Sequence, residues 1–131
     1  MLDNEKLISK QELLPVAEAL LKDGNRLVTI TCLDLNENHE INYHFDKNYI
    51  LTNLRLTLKK DEPITSISKI YFAAAVVENE IKDLFGVNFT ELAIDYGGRF
   101  VLTEDAPTTP LNKNCGLQVN VKTIFPKKED K

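Results

Sequence analysis

The sequence predicts an α+β fold: an antiparallel sheet of three to five strands, two main helices packed on one face, and an irregular C-terminal segment. Three observations predict it. Apolar and polar residues alternate through three stretches between positions 27 and 58, each pair separated by turn residues. Two other stretches, one before and one after, carry apolar residues at helical spacing. The links between the alternating stretches are too short for parallel crossovers, which favours antiparallel neighbours.

The elements follow in order. Ser9 and Glu12 have the spacing of a capping box. Leu13, Val16, Ala17, Leu20 and Leu21 then recur at helical spacing, and Asp23-Gly24 supplies a stop. Pro15 lies inside this helix and predicts a later start or a bend, because it lacks a backbone donor. Residues 27–35 read as a strand with Val28, Ile30 and Cys32 on one face and Thr29 and Thr31 on the other. Asn36-Glu37-Asn38 is turn chemistry. Ile41, Tyr43 and Phe45 form the apolar face of a second strand, and Asp46-Lys47-Asn48 a second turn. Ile50, Thr52, Leu54, Leu56 and Leu58 line one face of a third strand.

A long helix is expected over residues 66–85, with Thr65 or Ser66 as its cap. Ile67, Ile70, Tyr71, Ala74, Val77, Ile81 and Leu84 form its stripe, and Phe72, Ala73, Ala75 and Val76 widen it. Such a helix would be about 30 Å long and too apolar for one small sheet to cover. Beyond Gly86 the pattern weakens. Residues 91–94 and 99–102 flank Asp95-Tyr96-Gly97-Gly98 as a hairpin. Residues 104–114, with Pro107 and Pro110, read as a loop, and Leu117, Val119 and Val121 as a last strand. Residues 1–125 are read as one domain and 126–131 as a charged, disordered tail.

Composition narrows the function. The 131 residues are 43% hydrophobic, enough for a core, so no metal or disulfide is needed for folding. Sixteen basic against 20 acidic residues, a formal charge of -4, argue against nucleic acid as partner. No apolar run reaches the roughly 20 residues that span a bilayer, and the start of the chain lacks a secretory pattern. A soluble, cytoplasmic protein is expected, reaching the membrane only through partner subunits.

Chemistry-bearing constellations are scarce. Cys32 and Cys115 form no paired motif, and Cys32 reads as a small buried hydrophobe. His39 and His44 are placed on opposite strand faces, which is poor for one metal site. Glu78, Glu80 and Asp83 lie on one helix, but Glu78 and Glu80 project about 200° apart. The reading is no catalytic site, no cofactor and no metal in this chain, and instead an interaction subunit.

Residues 77–89 resemble the signature of the thirty-kilodalton subunit family of NADH dehydrogenase, respiratory complex I. Glu78, Glu80, Ile81, Asp83, Leu84, Phe85, Gly86, Val87 and Phe89 match it, while Asn79 stands where arginine is usual. The element order also resembles the family over roughly residues 10–111. Physically, Gly86 can end the helix with positive φ, and Phe85 and Phe89 can then wedge into a core or partner groove. Asp83 is placed to accept a hydrogen bond near that turn. Complex I members continue with a His-Pro and paired arginines; this chain has Thr90 to Phe100 there, with only Arg99 to stand in. That departure looks like the short versions in energy-converting nickel–iron hydrogenases.

The resemblance implies a non-catalytic subunit of a peripheral arm on the inner face of the cell membrane. It implies docking on a large subunit beside iron–sulfur subunits, with the iron–sulfur clusters and nickel–iron site held by those partners. Electron transfer there would be coupled to ion translocation. The corresponding subunit of NADH:quinone oxidoreductase is the first alternative. A free-standing α+β module binding a protein or ligand is the second. The expected docking surface is helix 66–85, the turn at Gly86 and loop 104–114.

Overall fold

The computed structural model describes residues 5–97, 100, 102 and 109–111. Among the described residues eight elements follow one another: β1 (Glu5–Leu7), α1 (Lys10–Lys22), β2 (Arg26–Asp34), β3 (Asn38–Lys47), β4 (Ile50–Lys59), β5 (Pro63–Thr65), α2 (Ala74–Phe85) and β6 (Asn88–Thr90). β1 to β4 form a four-stranded sheet in the order β1-β4-β3-β2, and β5 and β6 form a two-stranded one.

The expected α+β architecture and antiparallel meander are present, and β3 pairs with both β2 and β4. The main sheet is mixed rather than wholly antiparallel, because β1 joins β4 in parallel. Only three residues long, β1 has no periodicity to announce it. Its pairing aligns Glu5 with Asn53 and Leu7 with Arg55, and Arg55 makes an ion pair with Glu5.

α1 starts where the capping chemistry puts it, with Ser9 extended at φ −95° and its N–H donating to the Glu12 carboxylate at 2.9 Å. The helix runs through Pro15 rather than starting after it. Gln11, whose carbonyl loses its usual donor, is exposed, so solvent can satisfy it. At the other end Gly24 takes φ 91°, Gly24 N–H donates to Leu21 O and Asn25 N–H to Leu20 O. These are the paired bonds of a Schellman stop.

β2 departs from simple alternation. Its register slips between Leu27 and Thr29, a β-bulge. The extra residue turns Val28 outward, so Leu27, Ile30 and Cys32 face the core in place of the expected Val28, Ile30 and Cys32. The β3–β4 hairpin closes on Asn48 and Tyr49, both at positive φ, between paired Lys47 and Ile50. Two left-handed residues give the hairpin its strand-matching twist. Ile41, Tyr43, Phe45, Leu54, Leu56 and Leu58 are buried on one face, joined by Leu13 and Ala17 of α1 and Ala74 and Ile81 of α2.

α2 is shorter than expected, 12 residues from Ala74, with turns and a bend over residues 68–73. Ser66 does cap a turn, its Oγ accepting from Ser68 N–H at 2.8 Å with Tyr71 N–H bonding Ile67 O, but regular α-helix begins only at Ala74. Tyr71 hydroxyl donates to Asn25 O at 2.8 Å and pins the turn to the end of α1. Residues 91–94, expected as a strand, form none; a bend there leads to an Asx turn, with Gly97 N–H donating to Asp95 at 2.8 Å. Of the expected strand at 99–102 only residues 100 and 102 are described, neither in a strand; the expected strand at 117–121, most of loop 104–114, Cys115 and the tail 126–131 lie outside the described residues.

Candidate functional site

The residues singled out by the sequence gather around α2, and four of them, Glu78, Asp83, Val87 and Phe89, turn inward. Gly86 ends the helix at φ 80°, ψ 18°, its N–H donating to Lys82 O. That left-handed residue reverses the chain so that Asn88–Thr90 can lie beside Pro63–Thr65. Val87 and Phe89 are buried by the reversal. Phe85 packs edge-on against the His39 ring, centroids 6.1 Å apart. Glu78 and Asp83 are buried, Leu84 and Phe85 are partly covered, and Glu80 is exposed. Glu78, Asp83, Val87 and Phe89 therefore contact this chain's own interior, and Glu80, Leu84 and Phe85 keep outward surface. Arg99 lies outside the described residues.

Glu78 has the most constrained environment. One carboxylate oxygen lies 2.5 Å from Ser66 Oγ and the other accepts from Ile67 N–H at 3.0 Å. Ser66 Oγ is 2.6 Å from Ser68 Oγ, which accepts Ala93 N–H at 2.8 Å. A hydrogen-bonded path thus runs from the helix through the 66–68 turn to the segment after β6. Burial pushes the Glu78 carboxyl up to about 7, against the downward pull of Ser66 and Ile67. The same burial, with the Glu78 charge second, holds the Tyr43 phenol well above its ordinary range.

Asn79, the departure from the family pattern, is fully buried and forms a clamp. Its amide NH2 donates to Ala75 O at 2.7 Å and Ile94 O at 2.8 Å, and its Oδ1 accepts Tyr96 N–H at 3.0 Å. Lys82 adds an ion pair to Asp95 at 2.9 Å, which holds that carboxyl below its ordinary range. Leu111 N–H donates to Leu84 O at 2.7 Å, so part of the proline-bearing loop is tied to the helix end. Neither Asn79 nor the Ser66–Ser68 pair is among the sequence-predicted site residues. Two signals point to them in the sequence: a polar residue between two motif glutamates, and serines two apart at the expected helix start.

The remaining polar groups do not converge. Among the described residues no group of three or more His, Cys, Asp or Glu side chains comes together. His39 and His44 lie on opposite faces: His39 is buried, its pKa lowered first by burial and then by Lys60, and His44 bonds Asn53 at 2.6 Å. Burial and then Asp34 push the Cys32 thiol up to about 12, so it stays protonated. One open cleft, about 420 Å³, is lined by Leu21, Leu27, Ile70, Tyr71 and Phe72 among others, and it contains no carboxylate or imidazole. Phe72 and Val76 project from the α2 region at 64% and 52% exposure. Among the described residues no helix is long and apolar enough to cross a membrane.

These features define an α+β domain with buried polar ties gathered around one helix end. Its sequence matches, over residues 7–121, the family described as respiratory-chain NADH dehydrogenase, 30 Kd subunit, and the chain belongs to that family. It is 34% identical over 95 residues to a NADH-quinone oxidoreductase subunit of Ruegeria pomeroyi, covering 63% of this chain and 48% of the relative. The equivalent protein of Cereibacter sphaeroides gives the same figures. The chain spans about half the length of these curated relatives. Its fold is similar to a chain in the structure of the membrane-bound sulfane sulfur reductase, an archaeal respiratory membrane complex. There the TM-score is 0.69 at 18% identity, covering 95% of this chain and 79% of the other.

Proposed function

We propose that this chain is a non-catalytic structural subunit in the peripheral arm of a membrane-bound respiratory complex of the complex I type, most like that of energy-converting nickel–iron hydrogenases. In this reading it docks on the large subunit, beside iron–sulfur subunits, and braces the arm through which electron transfer is coupled to ion translocation. It holds no cofactor itself and meets the inner face of the cell membrane only through partners. The observation that carries the reading is the family motif, built here as a fixed helix end. Glu78, Asp83, Val87 and Phe89 lock it from inside, while Phe72, Val76, Glu80 and Leu84 keep outward surface and Leu84 O is tied to Leu111 N–H. An outward apolar set on a rigid support suits a docking face.

A second reading is the corresponding subunit of NADH:quinone oxidoreductase, favoured by the identity of the curated relatives. The segment after Phe89 favours the first: where complex I members carry His-Pro and arginines, this chain has a stretch clamped by Asn79 and Lys82. Purification of the tagged protein from native membranes in mild detergent tests both. A nickel–iron large subunit with iron–sulfur and membrane subunits is the expected yield. A quinone-site large subunit with NADH-oxidising subunits moves the chain to the second reading. Recovery alone in several detergents overturns both.

A further inference from the structure

The path from Glu78 to Ala93 has a property that a static tie lacks. A serine hydroxyl carries one proton, so it can donate in only one direction at a time. Ser66 Oγ sits between the Glu78 carboxylate at 2.5 Å and Ser68 Oγ at 2.6 Å, and can donate to one of them only. With Glu78 ionised, the proton of Ser66 must point to the carboxylate, which only accepts. The Ser68 hydroxyl then donates to Ser66, and Ala93 N–H donates to Ser68. Every donor points toward the negative charge, and each bond polarises the next. With Glu78 protonated, its O–H donates to Ser66, Ser66 donates to Ser68, and Ser68 Oγ receives two donors while its own proton loses its acceptor.

We propose that Glu78 is a proton-operated latch: the ionised carboxylate aligns the chain through Ser66 and Ser68 and holds residues 91–97 at Ala93, and protonation reverses the chain and loosens that hold. The groups that face Glu78 come from separate elements: Ser66 and Ile67 N–H from the turn before α2, and the Tyr43 phenol from β3, itself next to Cys32 of β2. Among the described residues no cation belongs to the groups acting on its charge; burial dominates and pushes the carboxyl up to about 7. The held segment carries Ile94 and Tyr96, both exposed, so the latch bears on surface that a partner could read. This inference rests on the hydrogen-bond geometry around Glu78, with burial setting where the carboxyl titrates, and stands whichever complex contains the chain.

The test is amide hydrogen exchange on the full chain, read residue by residue and corrected for intrinsic rates. Ala93 protection is expected to rise roughly fivefold between about pH 5.5 and about pH 8.5, with Ile41 and Leu56 amides as the in-sheet reference. In Glu78→Gln the step disappears. In Ser68→Ala the Glu78 carboxyl still titrates, seen in its ¹³C shift, and the 91–97 amides no longer follow it. Equal Ala93 protection at both ends in the wild type overturns the latch, as does a step that survives Glu78→Gln. Should Glu78→Gln not fold, the wild-type ¹³C titration decides: a midpoint in the ordinary glutamate range, well below neutrality, sinks the proposal.

Discussion

The β2–β4 meander and the α2 region are held by different forces. In the meander a repeated pattern does the holding: Ile41, Tyr43 and Phe45 face Leu54, Leu56 and Leu58, and ten paired positions of β3 and β4 keep register. No single side chain is decisive for its shape. In the α2 region single polar groups carry whole segments: Glu78 fixes the 66–68 turn, Asn79 fixes 94 to 96, and Gly86 sets the exit. A patterned region loses stability in proportion to what is removed. A region of individual ties loses local geometry when one tie goes.

Four measurements probe this contrast. Phe45→Ala, in the middle of the meander, is expected to cost about 3–5 kcal/mol and shift the denaturant midpoint for the whole domain. The second effect belongs to Glu78. Its carboxyl rises from an ordinary 4.5 to about 7 in the folded chain, so the native state binds the proton more tightly than the unfolded one. Stability from this group is full below the unfolded value, is lost as pH rises through the folded value, and amounts to roughly 3 kcal/mol. His39 opposes it: with its pKa lowered, its contribution is present above its ordinary range and lost as pH falls through the folded value. The difference between wild type and Glu78→Gln isolates the glutamate, and a stability–pH profile identical in the two contradicts the assignment.

Asn79→Ala is expected to cost about 1–2 kcal/mol, since the freed Ile94 and Tyr96 backbone groups can turn to water. Its signature is local: proteolysis within 91–97 accelerates severalfold while the β3 and β4 amides keep their protection. Lys82→Ala removes a partly exposed ion pair to Asp95 and is expected to cost less than about 1 kcal/mol. That loss should shrink further in high salt. A larger penalty for Lys82→Ala than for Asn79→Ala would mean that charge, not the buried amide, holds the segment.

The same contrast explains what could be read from the sequence. The three strands, the capping box before α1, the glycine stops at Gly24 and Gly86, and the inward face of β3 all follow from periodicity or from residues with one conformational use. The motif around residues 78–89 pointed to the right helix and the right family. Three things did not follow. β1 is too short for a pattern and exists because β4 offers it an edge. The bulge at Leu27 to Thr29 inverts Val28 with no residue that demands it. The start of α2 at Ala74 has no single residue to announce it, and Ser66 instead bonds Glu78, 12 positions away, a tertiary bond that propensity cannot weigh. The inward turn of Glu78 and Asp83 was hidden for the same reason: charged residues read as solvated until their burial is seen.

The bulge in β2 has one more consequence, for self-association. β2 is an outer strand of the sheet, and its exposed Val28 and Leu33, with Leu35 just beyond, would make a regular edge inviting to another chain. A register slip interrupts the ladder of donors and acceptors that an incoming strand must match. At the opposite edge β1 offers only three residues. Among the described residues, the bulge makes β2 a poorer template for strand addition than a regular edge of the same length.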